Sequence, residues 1–247
     1  MVETDKEKRA FLFELTTEAQ SLMYNGKKEE ALLYYDKILK KYPDEVQFIY
    51  MKGMVFYEFK EFTEAIKFFD EVLQKNHEDI DALYAKGTAL SSIEQHNDAI
   101  ALFDKVLAID PKMHLTWLAK GYTLLDLEKY EDALLSFKGA EKLGYRGELL
   151  GGKGQALRKL GKIEDAKSHF KEAIQADPYD FEALYGLGMM EYEANNLKEA
   201  QELLYKSVIQ YDDNVDAWTI LAEIFKTNKD TERESVARKK INELQEK

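Results

Sequence analysis

Residues 80–113 read IDALYAKGTALSSIEQHNDAIALFDKVLAIDPKM, and this stretch decides the fold. Its first half sets Leu83, Gly87 and Leu90 at spacings of three and four, the period of an amphipathic helix. His96-Asn97-Asp98 then reads as a polar break. The second half, Ala99-Ile100, Leu102-Phe103 and Val106-Leu107, returns to helical spacing. Asp110-Pro111 closes it, because proline has no N–H to donate and clashes with the preceding turn. The unit is two helices, A and B, joined by a tight turn. Gly87 and Ala99 are its small residues, which places the closest approach of the two backbones there and sends Phe103 toward the next unit.

The unit recurs along the chain. Ala31, Ala65, Ala99, Ala133, Ala166 and Ala200 follow one another at steps of 34, 34, 34, 33 and 34 residues. Four residues after each stands a bulky apolar side chain: Tyr35, Phe69, Phe103, Phe137, Phe170 and Leu204. Twelve before each stands a small one: Ala19, Gly53, Gly87, Gly121, Gly154 and Gly188. The three prolines, Pro43, Pro111 and Pro178, all fall after a second helix, and the two tryptophans, Trp117 and Trp218, share one position of the unit. Columns that keep a single period describe stacked copies of one supersecondary unit rather than one globular core.

Trp117-x2-Lys120-Gly121-x2-Leu124, followed by Ala133 and Phe137, resembles the signature of the tetratricopeptide repeat family. The resemblance covers about residues 12–229. It implies an all-α, right-handed superhelical solenoid of about seven helical hairpins. The expected repeats are 12–45, 46–79, 80–113, 114–146, 147–180, 181–214 and 215–247, in a single array over 1–247 that ends in a capping helix. One departure is systematic: Lys52, Lys86, Lys120 and Lys153 precede the glycine where the family prefers leucine. A lysine can lay its stem on apolar surface and keep its ammonium in water. Thr4-x-x-Glu7 reads as a capping box that starts a long first helix near Asp5. Thr231-x-x-Glu234 reads as a second box, with helix B of the last repeat shifted by about three residues. Between repeats four and five one residue is lost, and Gly144, Gly147, Gly151, Gly152 and Gly154 crowd together. That crowding reads either as a looser turn with a distorted helix start, or as a flex point or a place where a partner's backbone approaches closely.

Composition narrows the function. The chain has 247 residues, 33 % of them charged, above the roughly 25 % of an average globular domain and in keeping with a thin solenoid. The formal net charge of −12 disfavours nucleic acid, whose affinity comes largely from cations that neutralise phosphates. With no cysteine there is neither a disulfide nor a thiolate metal site. No signal-like apolar core or membrane-length run is present, so a cytoplasmic protein without membrane contact is expected.

Signals for chemistry are weak. Gly147-x4-Gly152-Lys153 has P-loop spacing, but Gly154 stands where serine or threonine is required, and no strand precedes it. His77, His96, His114 and His169 form no i, i+3 or i, i+4 pair, and all read as surface or turn residues. No catalytic residue, cofactor or metal is expected, and the chain reads as non-enzymatic.

The resemblance implies that helices A line a concave groove. Seven of the fifteen tyrosines and four of the seven methionines fall on its 42 expected positions. Both residue types suit binding surfaces, tyrosine as a large apolar ring with a hydrogen-bonding tip and methionine as an adaptable thioether chain. The expected groove residues are Tyr50, Met51, Met54, Tyr57, Tyr84, Thr88, Tyr122, Gln155, Arg158, Tyr185, Met189 and Tyr192. Eight acidic groove residues stand against three basic ones, and the family's basic clamp for acidic C-terminal tails is missing. The expected partner is therefore a protein or peptide, neutral to basic, with apolar anchors. The alternative is a scaffold that acts through homo-oligomerisation or its convex face.

Overall fold

The computed structural model describes residues 4–145 and 149–246. Gly147, named above, and Glu148, one of the eight acidic groove positions, lie outside them. The described residues form fourteen α-helices and no strand. The A helices are α1 (Asp5–Tyr24), α3 (Val46–Glu58), α5 (Ile80–Ser92), α7 (His114–Asp126), α9 (Leu149–Lys159), α11 (Phe181–Glu193) and α13 (Val215–Thr227). The B helices are α2 (Lys28–Lys41), α4 (Phe62–Lys75), α6 (His96–Ile109), α8 (Tyr130–Lys142), α10 (Ile163–Ala176), α12 (Leu197–Gln210) and α14 (Thr231–Gln245). The all-α hairpin repeat expected from the sequence is the observed fold class. The chain divides into two compact units, the first running to Thr123 and the second beginning at Leu124.

Local chemistry fixes the helix ends. Thr4 caps α1: its hydroxyl accepts from the Glu7 N–H at 3.3 Å, and Glu7 Oε2 accepts from the Thr4 N–H at 2.8 Å. Asp79, Asp180 and Asn214 cap α5, α11 and α13 by accepting from the backbone N–H three residues on. Each A helix closes in the same left-handed turn. Gly26, Lys60, Glu94, Glu128, Gly161, Asn195 and Lys229 have φ between 56° and 74°. The following N–H returns to the carbonyl five residues back, as Gln95 does to Leu90 at 2.9 Å. This is the Schellman ending. The break in residues 80–113 is therefore at Ile93-Glu94-Gln95, and His96-Asn97-Asp98 is the first turn of α6 rather than the break.

The alanine column is fully buried in all six repeats. The bulky residue sixteen positions after Gly53, Gly87, Gly154 or Gly188 also packs on it. A Cβ built on Gly53, Gly87 or Gly154 would lie 2.6–2.7 Å from the ring of Phe69, Phe103 or Phe170 in its own repeat. The same ring also reaches the next A helix. A Cβ on Gly186 would lie 2.3 Å from Phe170, and one on Gly152 would lie 2.5 Å from Phe137. Phe170 is thus held between Gly154 of its own repeat and Gly186 of the next. This adds the Phe103 ring to the small site of Gly87 and keeps the reach of the aromatic toward the next repeat.

Two further expectations change. At the join of repeats four and five, α8 ends in a Schellman turn at Gly144, φ 85°. Gly151, Gly152 and Gly154 are buried within the helix α9, where Phe137 and Phe170 occupy the space their side chains would need, or Glu182 stands close by. At the C-terminus α14 starts in register, 34 residues after α12. Its cap is Asp230, which accepts from the Arg233 N–H, so Thr231 is its first helical residue and not its cap. Glu234 occupies the alanine column and pairs with Arg238, while Ala237 one turn later is the buried small residue.

Candidate functional site

The twelve expected groove residues lie on A helices, and all of them are half-buried. In the first unit, Tyr50 on α3 tilts against Phe69 with ring centroids 5.7 Å apart. Tyr84, one repeat later on α5, does the same against Phe103 at 6.1 Å. The core aromatic thus fixes the inner face of each tyrosine ring. Tyr50, Met54 and Tyr57 pack together on Ala65, Phe69, Ala85 and Ala89, which makes one continuous face of α3 and α5. Burial pushes the Tyr50 phenol up to about 12, and Asp81 and Asp79 add to the effect. At physiological pH this phenol is a neutral hydrogen-bonding group. Thr88 gives its hydroxyl proton to the Ala85 carbonyl at 2.9 Å. Met51 does not join this face; it packs on the cluster of Tyr35 and Ile38. Tyr122 is half-buried on α7.

In the second unit, Tyr185 and Tyr192 on α11 pack against the core that Leu221, Ala222 and Phe225 build. Burial raises the Tyr185 phenol, with Asp216 adding to the shift. Tyr192 donates its hydroxyl to Glu223 Oε2 at 2.5 Å, and that bond raises its phenol first, ahead of burial. Arg158 on α9 lies 3.4 Å from Glu193 Oε1, and its Nε is buried without a partner. Met189 shares α11 with the two tyrosines. Gln155 faces a different feature, a pocket of about 190 Å³ lined also by Leu125, Asp126, Glu128, Tyr130 and Lys159.

One column escaped the sequence reading. Lys52, Lys86 and Lys120 pair with Asp36, Asp70 and Asp104 of the preceding repeat at 2.5–2.7 Å. Lys138 stands at the next aspartate position, and there Lys153 turns to Glu141 at 2.7 Å. The aspartates recur every 34 residues, so the signal was present, but it becomes meaningful only when the lysine is seen to cross to the neighbouring repeat.

The arrangement holds aromatic rings in place. Among the described residues no group of three or more histidines and carboxylates could hold a metal ion. No helix there is long and apolar enough to cross a membrane. Residues 149–159 are helix, not a phosphate-cradling loop. His77 is exposed in a turn, and His96 and His114 open helices. His169 departs from expectation: it lies within α10, half-buried, with Nδ1 3.9 Å from Glu172.

Known proteins agree with this geometry. Two family models described as tetratricopeptide repeat match residues 16–80 and 157–224. A third, described as anaphase-promoting complex, cyclosome, subunit 3, matches residues 60–140. Among curated proteins no sequence match is found. A tetratricopeptide repeat protein from Parabacteroides merdae superposes with a TM-score of 0.77 at 15 % identity, covering 95 % of this chain and 93 % of that one. A thermophilic repeat protein of Thermus thermophilus gives 0.61 at 20 % identity, over 73 % of this chain and 98 % of that one. Yeast Tom70 gives 0.62 at 22 % identity; 87 % of this chain is covered, but only 46 % of Tom70. At these identities the structural likeness speaks to fold alone. Six in-register repeats, the fourteen helices of the described residues and the two matching repeat models together place the chain in the tetratricopeptide repeat family.

Proposed function

We propose that the chain is a non-enzymatic protein-binding module that holds a segment of a partner protein against its A helices. The observation that carries this reading is the pairing of Tyr50 with Phe69 and of Tyr84 with Phe103, one repeat apart. Each ring is locked by the core on one side and half-exposed on the other. A rigid amphipathic ring loses little conformational freedom on binding, which is why such residues dominate interface energetics. The partner segment is neutral to basic with apolar anchors. Asp81 acts on Tyr50, Asp216 acts on Tyr185, Glu223 accepts from Tyr192, and Glu193 already occupies Arg158. Opposite charge speeds encounter, while the rings supply most of the affinity.

The test is affinity capture from the source cell, followed by hydrogen exchange of the recovered complex. Protection is expected on α3, α5 and α11. Protection confined to B helices would place the partner elsewhere and reject the reading.

A further inference from the structure

An A helix packs on the B helix before it. Phe48 and Val55 of α3 cluster with Tyr35 and Ile38 of α2, and Ala85 and Ala89 of α5 cluster with Phe69 of α4. On α1 the matching face is Glu14, Thr17, Glu18 and Ser21, and all four are exposed. Glu14 and Ser21 head columns that are buried in all six later repeats. Glu18 heads the column of Lys52, Lys86 and Lys120, the lysines that reach back to an aspartate of the preceding B helix. Among the described residues neither Glu14 nor Glu18 has an ion-pair partner. On α14 the face that a following A helix would cover is also exposed. Arg238 stands there in the column of Phe69 and Phe103. Lys239 stands in the column of Asp36, Asp70 and Asp104, which Lys138, Lys171 and Tyr205 also occupy. Arg238 and Lys239 line an open groove of about 470 Å³ together with Glu234, Ser235 and Asn242. Polar end faces keep a solenoid soluble, but solubility does not require opposite signs at the two ends.

We propose that these two faces meet between copies of this chain. The helix α14 of one copy takes the place of a preceding B helix on α1 of the next, with Lys239 against Glu18. The contact repeats the lysine–aspartate pairing between repeats with its charges exchanged. Arg238 then lies over Thr17 and Ser21, the positions that Ala85 and Ala89 hold against Phe69. Charge chooses the occupant. The α1 face carries Glu14 and Glu18 and no cation, while the α14 face carries Arg238 and Lys239 against Glu234. Glu234 already pairs with Arg238 at 2.8 Å. Lys239 is only loosely held by Glu243, at 3.7 Å, and its side chain is 81 % exposed, so it can turn to a new carboxylate. Two α1 faces would set carboxylate against carboxylate, and two α14 faces cation against cation, so the contact is head to tail. The net charge of −12 opposes association at a distance, but physiological salt screens that repulsion beyond about 8 Å.

The test is sedimentation equilibrium of the full chain at rising concentration. The wild type should associate. Glu18→Lys and Lys239→Glu, each alone, set like charges together and should weaken association at least ten-fold. Both positions are exposed, so the helical circular dichroism signal should be that of the wild type. Glu18→Lys also lowers the net negative charge, so repulsion between whole copies, acting alone, would make it associate more tightly. Mixed one to one, the two variants restore opposite charges at the contact and should recover wild-type association. A wild type that stays monomeric up to about 1 mM overturns the proposal. So does either single variant that associates as tightly as the wild type, or a mixture that remains as weak as its two components.

Discussion

A Cβ placed on Gly87 would lie 2.6 Å from the Phe103 ring. The ring cannot retreat freely, since Phe103 is fully buried and packs toward Ala119 of the next repeat. Gly87→Ala should therefore cost about 1–3 kcal/mol, the usual range for overpacking. Urea unfolding of the variant checks this, and a larger residue such as leucine should cost more.

Adjacent glycines on α9 should respond in opposite directions. A Cβ on Gly152 would meet Phe137 at 2.5 Å, whereas one on Gly151 meets the end of the Glu182 side chain at 3.2 Å. The carboxylate can move by a few tenths of an ångström; the packed ring cannot. Gly152→Ala should destabilise, while Gly151→Ala should be neutral or stabilise by up to about 1 kcal/mol through helix propensity. Equal effects of the two changes in thermal melts would contradict the packing described.

Glu94 holds φ at 63° in the turn between α5 and α6. The left-handed conformation costs a residue with a side chain roughly 1–2 kcal/mol, part of which glycine returns as greater freedom in the unfolded chain. Glu94→Gly should stabilise by about 0.5–1 kcal/mol. Gly161→Ala, at φ 74° with open space around it, should destabilise by a similar amount. Denaturant midpoints of the two variants give the comparison.

Glu191 is buried and accepts from Asn196 at 2.6 Å and from Lys167 at 2.9 Å. These two contacts hold its carboxyl below the ordinary range, the Asn196 bond most of all. A carboxylate whose folded value is depressed contributes stability that is fully present above its unfolded value and is lost as the pH falls through the folded value. The second unit should therefore weaken on acidification below the normal carboxylate range, and Glu191→Gln should flatten that dependence. At neutral pH Glu191→Ala should cost up to about 3 kcal/mol, the low end for breaking a buried pair, because Lys167 keeps access to water. Unfolding followed at several pH values reads both effects.

Much of the fold was legible because a repeat states its period many times over. The positions of α3, α5, α7, α11 and α13 follow from spacing alone. The first helix was legible because Thr4 and Glu7 form a local motif whose partners are three residues apart. What the spacing could not give were partners across helices. Gly87 was legible as a small residue, but that the Phe103 ring fills the space it leaves was not. The lysine column found its aspartates one repeat back, a contact that no local pattern contains. In the described turns from an A helix to its B helix, Gly26, Gly161 and Asn195 advertise a left-handed residue; Lys60, Glu94, Glu128 and Lys229 are held there by the two helices they join. The tyrosines were legible as a class, but that Tyr50 and Tyr84 each lean on the phenylalanine of their own repeat required the packed structure.

The central claim, that the A-helix face carries the binding, is tested most directly by titrating the captured partner against two double variants. Tyr50→Leu with Tyr84→Leu keeps apolar contact with Phe69 and Phe103 but removes the exposed ring edge and the hydroxyl. Lys67→Ala with Lys105→Ala changes two exposed B-helix residues. Both should keep the helical circular dichroism signal of the wild type. The tyrosine pair should weaken binding at least ten-fold, about 1.4 kcal/mol or more, and the lysine pair should leave it unchanged. Full affinity in the tyrosine pair together with loss in the lysine pair would contradict the account.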